Sequence, residues 1–370
     1  MKILHLVDSF DPTYERDQIK VVKMCAEKGY DTVVLTTSLD SDGKNVDPQY
    51  FYQSDILFGS VKIIRPYSRK VKLPYLDPVS AYVPSKILLN HFDLMHIYTV
   101  GSYSSLIGSF SHKINLTPIV LRAEMSHPLY HRLKTNALLR AIAKRILDRS
   151  NKMYSFTYKE RQLLIDLGIP EGKIEVIPPS IDTDRFKKIC KSRSEIGIGY
   201  IGRYTYAKGV HKVVKSLVKI AREFPEVKIF FAGPQTDKDY ANDVISAFKD
   251  IKNFTYLGTP DLEEFFSLTD IVLIPSLMNE TGSITTLEAM AAGKVVIASS
   301  ITPMNEYIRN GFSGLLVNEE DQYYFYCKEL LTHTERLAEM GEQAQERAKF
   351  FDNRIMFNKM ESLYLSVIEE

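Results

Sequence analysis

Residues 270–299 read DIVLIPSLMNETGSITTLEAMAAGKVVIAS and predict a strand, a loop, a helix and a second strand. The apolar runs at 270–275 and 294–299 have the length of buried strands, and the helix predicted at 284–292 is apolar on most sides. Strands joined through a helix pair in parallel, and parallel sheets are covered by helices on both faces. The segment therefore predicts a doubly wound α/β domain.

The same alternation of strands and helices extends from this segment in both directions. In the second half of the chain, further strands are predicted at 198–203, 227–233, 254–258 and 314–317, and helices at 208–224, 237–249, 261–268 and from 321 onward. In the first half, strands are predicted at 2–7, 31–37, 61–65, 94–98, 118–122 and 152–156, and helices at 14–29, 80–91, 102–114 and 132–149. Each half thus predicts a parallel sheet of its own.

A break in the alternation separates the two halves. Residues 177–195, IPPSIDTDRFKKICKSRSE, carry two prolines, many charges and little periodicity, which is typical of an interdomain linker. We therefore predict one Rossmann-like domain over 1–180 and a second over 195–352. Ligands of doubly wound domains bind at the carboxyl ends of the strands, so we expect the two domains to face a ligand-binding cleft.

The composition is typical of a globular, cytoplasmic protein. The 370 residues are 45% hydrophobic, and 47 Lys and Arg against 46 Asp and Glu give a net charge of +1. This balance argues against a nucleic-acid-coating protein, and no run of about 18 apolar residues predicts a transmembrane helix. The first residues do not resemble a signal peptide, and Cys25, Cys190 and Cys327 lack metal-ligand spacing. These features favour a reducing compartment.

The segment GRYTYAKG, residues 202–209, follows the first strand of the second domain and predicts an anion-binding cradle. Gly202 permits close approach of the backbone to a ligand, and the helix that begins near Lys208 attracts anions through its N-terminus. Arg203 and Lys208 add two cations at the same point. A diphosphate is the ligand that this pattern favours, although a surface loop with two solvated basic side chains fits the residues as well.

The loop and helix after residue 275 provide a second set of candidate residues. Glu280 lies in the loop, and Glu288 lies eight positions later inside the predicted helix. The residues that span the helix N-terminus offer backbone N–H groups to phosphate oxygens, and they are Gly282, Ser283, Ile284 and Thr285. A carboxylate within an apolar helix is expected to be buried and to need a partner, which the hydroxyls of a ribose would provide.

Two other patterns suggest ligands that we do not expect to bind. GIGYIG at 197–202 matches a dinucleotide-binding pattern in its letters, but its last glycines fall in or at the end of a strand instead of opening a helix. The triplets Asp40–Asp42, Asp182–Asp184 and Asp237–Asp239 fall in a hydrophilic loop, in the linker and at a helix start. We therefore expect no metal and no other cofactor.

Taken together, GRYTYAKG, FAGP (231–234), YLG (256–258) and the Glu280 to Glu288 segment resemble the GT-B glycosyltransferases, in particular the retaining glycosyltransferase family four, also called group 1 glycosyl transferases. The likeness continues in NEYIRNGFSGLLV (305–317) and in KIEVIPPSIDTDRF (173–186). It covers nearly the whole chain and is most specific between 198 and 317.

The resemblance implies transfer of a sugar from a nucleotide-sugar donor, often a UDP- or GDP-sugar, to a hydroxyl acceptor such as a glycan, a lipid-linked or a small molecule. Anomeric configuration is retained in the family. Carried over, Arg203 and Lys208 hold the diphosphate, Glu288 holds the ribose, and Glu280 contacts the transferred sugar. The helix at 353–370 is expected to pack back on the first domain.

The first domain departs from the pattern that the family shows. Its first loop, DSFDPTYERD (8–17), has no glycine, and Tyr14 or Arg16 is a candidate replacement for the lost backbone approach. Glu124 stands where members often carry a histidine, and His127 lies three residues later. His127 is a candidate substitute for that histidine, but the sequence favours a surface histidine beside Pro128.

The predicted helix at 132–149, RLKTNALLRAIAKRILDR, is basic and amphipathic. Such a helix is suited to peripheral contact with an anionic membrane, at the inner face if the protein is cytoplasmic, although basic amphipathic helices more often simply cover a sheet.

Two alternatives to a glycosyltransferase remain open at this point. One is a sugar-nucleotide epimerase of the same fold, and the other is a non-catalytic protein that binds a nucleotide sugar. The four residues Arg203, Lys208, Glu280 and Glu288 favour an active transferase.

Overall fold

The computed structural model describes residues 1–11, 16–39, 44–45, 51, 55, 58–71, 79–82 and 86–369. The chain forms two compact units, one made of Met1–Pro178 and Met356–Glu370 and the other of Pro179–Ile355. Each unit is built around one parallel sheet, as the alternating sequence pattern predicts.

The first unit contains a seven-stranded parallel sheet in the order β3-β2-β1-β6-β7-β8-β9 and a separate antiparallel pair, β4-β5. Its strands are β1 Lys2–Leu6, β2 Asp31–Leu35, β3 Lys62–Ile64, β4 Ser68–Val71, β5 Val79–Tyr82, β6 Leu94–Ile97, β7 Ile119–Arg122, β8 Lys152–Ser155 and β9 Ile174–Val176. Its α-helices are α1 Asp17–Glu27, α2 Tyr103–Asn115, α3 His127–Thr135, α4 Ala137–Arg149 and α5 Tyr158–Asp166. Short 3₁₀ helices lie at Lys86–Leu89 and Glu171–Lys173.

The prediction of a helix at 80–91 is wrong for the first residues of that range. Residues Val79–Tyr82 form strand β5, which pairs with β4 in antiparallel register, and among the described residues after it, 86–91, the helical ones are Lys86–Leu89, a single 3₁₀ turn. Aromatic and β-branched residues favour a strand, and Pro84 disfavours a helix that runs through it.

The single helix predicted at 132–149 is also wrong, because the structure has two helices there, α3 and α4. They are separated at Asn136, whose backbone is extended and whose side chain accepts a hydrogen bond from the N–H of Leu139 over 3.0 Å. Asparagine is a strong N-cap residue, so it ends one helix and begins the next.

The second unit contains a six-stranded parallel sheet in the order β12-β11-β10-β13-β14-β15. Its strands are β10 Gly197–Ile201, β11 Lys228–Ala232, β12 Phe254–Tyr256, β13 Ile271–Ile274, β14 Val295–Ser299 and β15 Leu315–Val317. Its helices are α6 Thr183–Lys187, α7 His211–Glu223, α8 Lys238–Ser246, α9 Leu262–Leu268, α10 Ile284–Ala291, α11 Met304–Tyr307, α12 Gln322–Thr332 and α13 Thr334–Ala348, with 3₁₀ turns at Tyr206–Lys208 and Lys349–Phe351.

The segment predicted as a linker, 177–195, lies mostly inside the second unit, which begins at Pro179. Its helix α6 buries Phe186, whose ring packs edge-on against Phe266 at 5.9 Å. Ile181 is fully buried, and its N–H donates to the carbonyl of Phe351 over 3.0 Å. Two apolar residues among many charges are enough to attach the segment to the core.

The C-terminal helix, α14, spans Asn353–Ile368, and its residues from Met356 onward belong to the first unit. The hydroxyl of Tyr364 lies 2.6 Å from Nδ1 of His96, which is buried on β6. At the surface, Lys28 Nζ pairs with Glu361 over 3.1 Å. None of the helices in the described ranges has the length and hydropathy that crossing a bilayer requires.

Candidate functional site

The second sheet has a topological switch point between β10 and β13. The chain runs from β10 to β11 and β12 on one side and then returns to place β13 on the other side of β10. In parallel sheets such a point opens a crevice at the carboxyl ends of the two strands, and ligands bind there. A pocket of about 420 Å³ lies at this position, entirely within the second unit.

The pocket is lined by residues at the carboxyl ends of four strands, β10, β11, β12 and β13, in the loops that follow them, and at the starts of α9 and α10. They are Tyr200, Ile201, Gly202, Arg203, Lys208, Gly233, Pro234, Thr259, Pro260, Leu262, Ile274, Pro275, Ser276, Glu280, Gly282, Ser283, Ile284 and Thr285. Most of the predicted second-domain site residues therefore line one pocket.

The loop after β10 is held in place by the neighbouring strands. The N–H of Gly202 donates to Ala232 and that of Tyr204 donates to Pro234, each over 3.1 Å. Burial raises the pKa of Tyr200, so its hydroxyl stays protonated and donates to the carbonyl of Arg203 over 3.0 Å. The Arg203 backbone is thus fixed while its side chain remains exposed.

Gly209 allows this loop to touch the loop after β13. Its φ is +64°, and a Cβ at this position would lie 2.0 Å from the carbonyl oxygen of Pro275, so a larger residue does not fit. Beside this contact, the N–H of Leu277 donates to the carbonyl of Ala207 over 2.9 Å. The two loops that carry the predicted charges are therefore joined through their backbones.

The Glu280 carboxylate is paired with the predicted cation Lys208. The Lys208 ammonium lies 2.8 Å from Oε2 of Glu280, and both side chains are mostly buried. The other carboxylate oxygen, Oε1, accepts a hydrogen bond from the Ser276 hydroxyl over 2.5 Å. With both oxygens engaged, Glu280 is a hydrogen-bond acceptor of fixed orientation and a poor general base.

The N-terminus of α10 forms the adjoining wall of the pocket. Ser283 occupies the N-cap position, but its side chain makes no capping bond to the backbone. Its Oγ instead pairs with Oγ1 of Thr286 at 2.8 Å. The first backbone N–H groups of α10 are therefore not capped by the Ser283 side chain, which suits them to binding an anion.

Glu288 lies one turn into α10 and is buried, with 8% of its surface exposed. It is not one of the residues that line the pocket. Its burial agrees with what the sequence predicts for a carboxylate in an apolar helix, and the residue has an interaction partner within the protein.

Glu124 and His127, two candidate residues of the first domain, belong to the first unit. Glu124 follows β7 and is partly exposed, and His127 is exposed at the start of α3, with its ring 6.5 Å from that of Tyr130. Neither lines the second-unit pocket. Tyr14 falls outside the described residues.

Sequence reasoning missed Ser276 and Tyr200, which fix Glu280 and the Arg203 loop. Both lie at the carboxyl ends of neighbouring strands, Ser276 directly after Pro275. Their position is the only signal for them, because ligands of parallel sheets bind at the carboxyl ends of strands. A single hydroxyl among many forms no sequence pattern.

The glycines of GIGYIG have a packing role. Gly197 and Gly199 lie within β10, and a Cβ on Gly197 would be 1.9 Å from the carbonyl oxygen of Leu268. One on Gly199 would be 2.5 Å from the Phe265 ring. These glycines let α9 pack closely on the strand.

Three aspartates of the Asp triplets, Asp182, Asp184 and Asp237, have structural partners. Asp182 caps α6 and Asp237 caps α8 through bonds to backbone N–H groups, and Asp184 pairs with Arg354. Asp40 and Asp42 fall outside the described residues. Within the described ranges, no cluster of three or more His, Cys, Asp or Glu side chains has the geometry of a metal site.

Two family models match successive parts of the chain. Residues 181–347 match the model described as glycosyl transferases group 1, and residues 19–185 match glycosyltransferase family 4. Among curated relatives, an uncharacterized glycosyltransferase of Methanocaldococcus jannaschii is 30% identical over 40% of this chain. That alignment spans only 42% of the relative. The alpha-monoglucosyldiacylglycerol synthase of Acholeplasma laidlawii is 21% identical over 75% of this chain and 76% of its own length.

Solved structures resemble the whole chain in fold. Anabaena HepE in complex with UDP superposes with a TM-score of 0.76 at 16% identity, covering 99% of this chain and 100% of that one. Sucrose-phosphate synthase of Thermosynechococcus elongatus gives a TM-score of 0.72 at 15% identity, covering 100% and 99%. At these identities the likeness concerns the fold alone.

Proposed function

The chain belongs to the group 1 glycosyl transferases and has the GT-B fold, and on this premise we propose that it transfers a sugar from a nucleotide-sugar donor to a hydroxyl acceptor. The observation that carries the proposal is the pocket of the second unit. There Arg203, the Lys208–Glu280 pair and the N-terminus of α10 meet at the switch point of the sheet. Cations, amides and one oriented carboxylate are the groups that a sugar diphosphate requires.

In this proposal the donor diphosphate binds at the N-terminus of α10. The exposed Arg203 guanidinium and the backbone N–H groups of residues 283–285 offset its charge, and Lys208, which lines the same pocket, adds a second cation. Negative charge grows on the diphosphate as the sugar departs. Donors that are already positioned stabilise this charge most in the transition state, which lowers the barrier.

We further propose that Glu280 contacts the transferred sugar and that the anomeric configuration is retained. Both Glu280 oxygens are engaged, by Ser276 and Lys208, so the carboxylate is suited to accepting sugar hydroxyls and not to activating water or an acceptor. The family supports retention. The proton NMR coupling constant of the anomeric hydrogen, measured on early product, tests it, and an inverted product would contradict it.

The donor is proposed to be a UDP-sugar, with GDP-sugars as the alternative. The support is the fold neighbour Anabaena HepE, whose structures are described as complexes with UDP and with UDP-glucose. A thermal-shift screen of nucleoside diphosphates and nucleotide sugars tests the base. A ligand at 100 times its dissociation constant stabilises the folded state by about 2.7 kcal/mol, which such a screen detects.

Product analysis tests the function itself. Purified protein is incubated with the donor selected by the screen and with hydroxyl acceptors of three kinds, glycan, lipid-linked and small-molecule. A new glycoside supports transfer. An epimerised donor without a new glycoside identifies an epimerase, and an unchanged donor that nevertheless binds identifies a non-catalytic binding protein.

Glu288 is proposed to bind the donor ribose, either directly or after the pocket closes on its ligand. The substitution Glu288→Gln preserves shape but removes the charge, and loss of a charged hydrogen bond lowers kcat/KM by about one to two orders of magnitude. Steady-state kinetics over a range of donor concentrations measures the effect. Wild-type kcat/KM in this variant would exclude the assignment.

The reaction is proposed to need no divalent metal and no other cofactor. Arg203, Lys208 and the α10 N-terminus supply the positive charge that a metal supplies in other enzymes. Turnover is therefore expected to be unchanged in excess chelator. Loss of turnover with chelator and its recovery with Mg²⁺ or Mn²⁺ would contradict this.

We propose that the protein is cytoplasmic and makes peripheral contact with the membrane. The supporting feature is the exposed face of α4. Leu138 is 70% exposed and Ile142, one turn later, is 40% exposed. Arg140, Lys144 and Arg145 are exposed on the same helix. Apolar side chains flanked by cations favour an anionic bilayer. Co-sedimentation with phosphatidylglycerol vesicles but not with phosphatidylcholine vesicles is expected, and weaker binding by Leu138→Asp. Equal behaviour with both vesicles would contradict the proposal.

A further inference from the structure

The Glu280 carboxylate is held from two sides, and only one of the two groups is among the predicted site residues. Lys208 Nζ lies 2.8 Å from Oε2, and the Ser276 hydroxyl donates to Oε1 over 2.5 Å. We propose that Ser276 is a positioning residue that fixes the orientation in which Glu280 faces the transferred sugar. This inference rests on the proposed function and adds a residue that governs recognition of the sugar, separately from the diphosphate.

The position of the Ser276 hydroxyl is set by the contacts that also set the Lys208 loop. Ser276 is 3% exposed and stands between Pro275 and Leu277. The Pro275 carbonyl is packed beneath Gly209, and the Leu277 N–H donates to Ala207. The backbone on both sides of Ser276 is therefore held against residues 202–209, so the same contacts position both groups that hold Glu280.

A lysine alone does not orient a carboxylate. Its ammonium is a compact charge on a flexible stem and approaches either oxygen from many directions. A buried hydroxyl has one proton, and donating it to Oε1 of Glu280 fixes the remaining rotation of the carboxylate plane. The remaining lone pairs of Glu280 then point in a defined direction, as reading the hydroxyls of a sugar requires.

This arrangement separates two kinds of recognition within one pocket. The diphosphate is bound by Arg203, by Lys208 and by the N–H groups at the start of α10, and none of these contacts involves the Ser276 hydroxyl. The sugar is bound through Glu280, whose geometry depends on Ser276. Loss of the hydroxyl is therefore expected to weaken binding of a nucleotide sugar and to leave binding of the nucleoside diphosphate unchanged.

The test compares UDP with UDP-glucose, and GDP with GDP-glucose, by calorimetry on the full chain. In Ser276→Ala we expect about tenfold weaker binding of the sugar nucleotide, as for loss of one hydrogen bond to a charged group, with the affinity for the diphosphate unchanged. Ser276→Thr keeps the hydroxyl and is expected to recover most of the loss. Ser216→Ala removes an equally buried hydroxyl from α7, away from the pocket, and is the matched control.

The double variant Ser276→Ala/Glu280→Gln is expected to bind the sugar nucleotide as Glu280→Gln does, because Ser276 acts only through Glu280. Equal weakening of diphosphate and sugar nucleotide by Ser276→Ala, or full additivity in the double variant, would overturn the proposal. If the proposed function is wrong, the outcome is different, because the wild-type protein then binds none of the four ligands. In that case a double-mutant cycle on the free energy of unfolding still measures the coupling between Ser276 and Glu280. Additive changes in this free energy would overturn the positioning role of Ser276.

Discussion

The Arg203→Ala variant is expected to lose about 100-fold or more in kcat/KM for sugar transfer, the loss typical of removing a preorganised charge that faces the transition state. Arg203 is exposed at the wall of the pocket, and among the described residues it makes no ion pair. Its charge is therefore available to the diphosphate. Because the Arg203 side chain makes no ion pair or hydrogen bond with the described part of the chain, the free energy of unfolding is expected to remain near the wild-type value.

Steady-state kinetics together with thermal unfolding checks this prediction. Arg222→Ala is the matched control, since Arg222 is an exposed arginine at the end of α7 that does not line the pocket. Arg203→Lys is expected to retain part of the activity, because a lysine keeps the charge and loses the bidentate geometry. Unchanged kcat/KM in Arg203→Ala would remove this residue from the site.

Replacing Lys208 by methionine is expected to reduce kcat/KM by at least about 100-fold for two reasons, of which only the first also applies to Arg203. The variant removes a cation from the pocket, and it also leaves Glu280 without the partner that lies 2.8 Å away. An unpaired carboxylate in a mostly buried position is unfavourable, so the free energy of unfolding is expected to fall as well.

The double variant Lys208→Met/Glu280→Gln separates the two effects. It removes the unpaired charge, so stability is expected to recover while turnover does not. Lys212→Met is the matched control, because Lys212 forms a comparable ion pair with Glu320 at 3.0 Å, away from the pocket. Recovery of turnover in the double variant would show that the only function of Lys208 is to neutralise Glu280.

The alternation of strands and helices could be predicted from the sequence because buried parallel strands are short apolar runs. Residues 271–274, IVLI, are all buried between two layers of helices, and nothing but a central strand fits them. The charged residues that follow such strands could also be predicted as site residues, because the carboxyl ends of parallel strands lie together at one edge of the sheet. Arg203 and Glu280, which come from different loops, line one pocket.

Contacts between residues that are distant in sequence and close in space could not be predicted from the sequence. Nothing in the local sequence indicates that Lys208 meets Glu280 or that Ser276 completes the contact. The helix break at Asn136 depends on one capping bond to Leu139, whereas the charge pattern of 132–149 continues through it. Residues 177–195 look like a linker because charges outnumber apolar residues, yet burial of Ile181 and Phe186 attaches much of the segment to the second unit.

The central claim is that the pocket at the switch point of the second sheet binds the donor, and a crystal structure with bound UDP-glucose tests it most directly. We expect the diphosphate within hydrogen-bonding distance of the N–H groups at 283–285 and of the Arg203 guanidinium, with the glucose beside Glu280. A nucleotide bound elsewhere on the chain, with this pocket unchanged, would contradict the account.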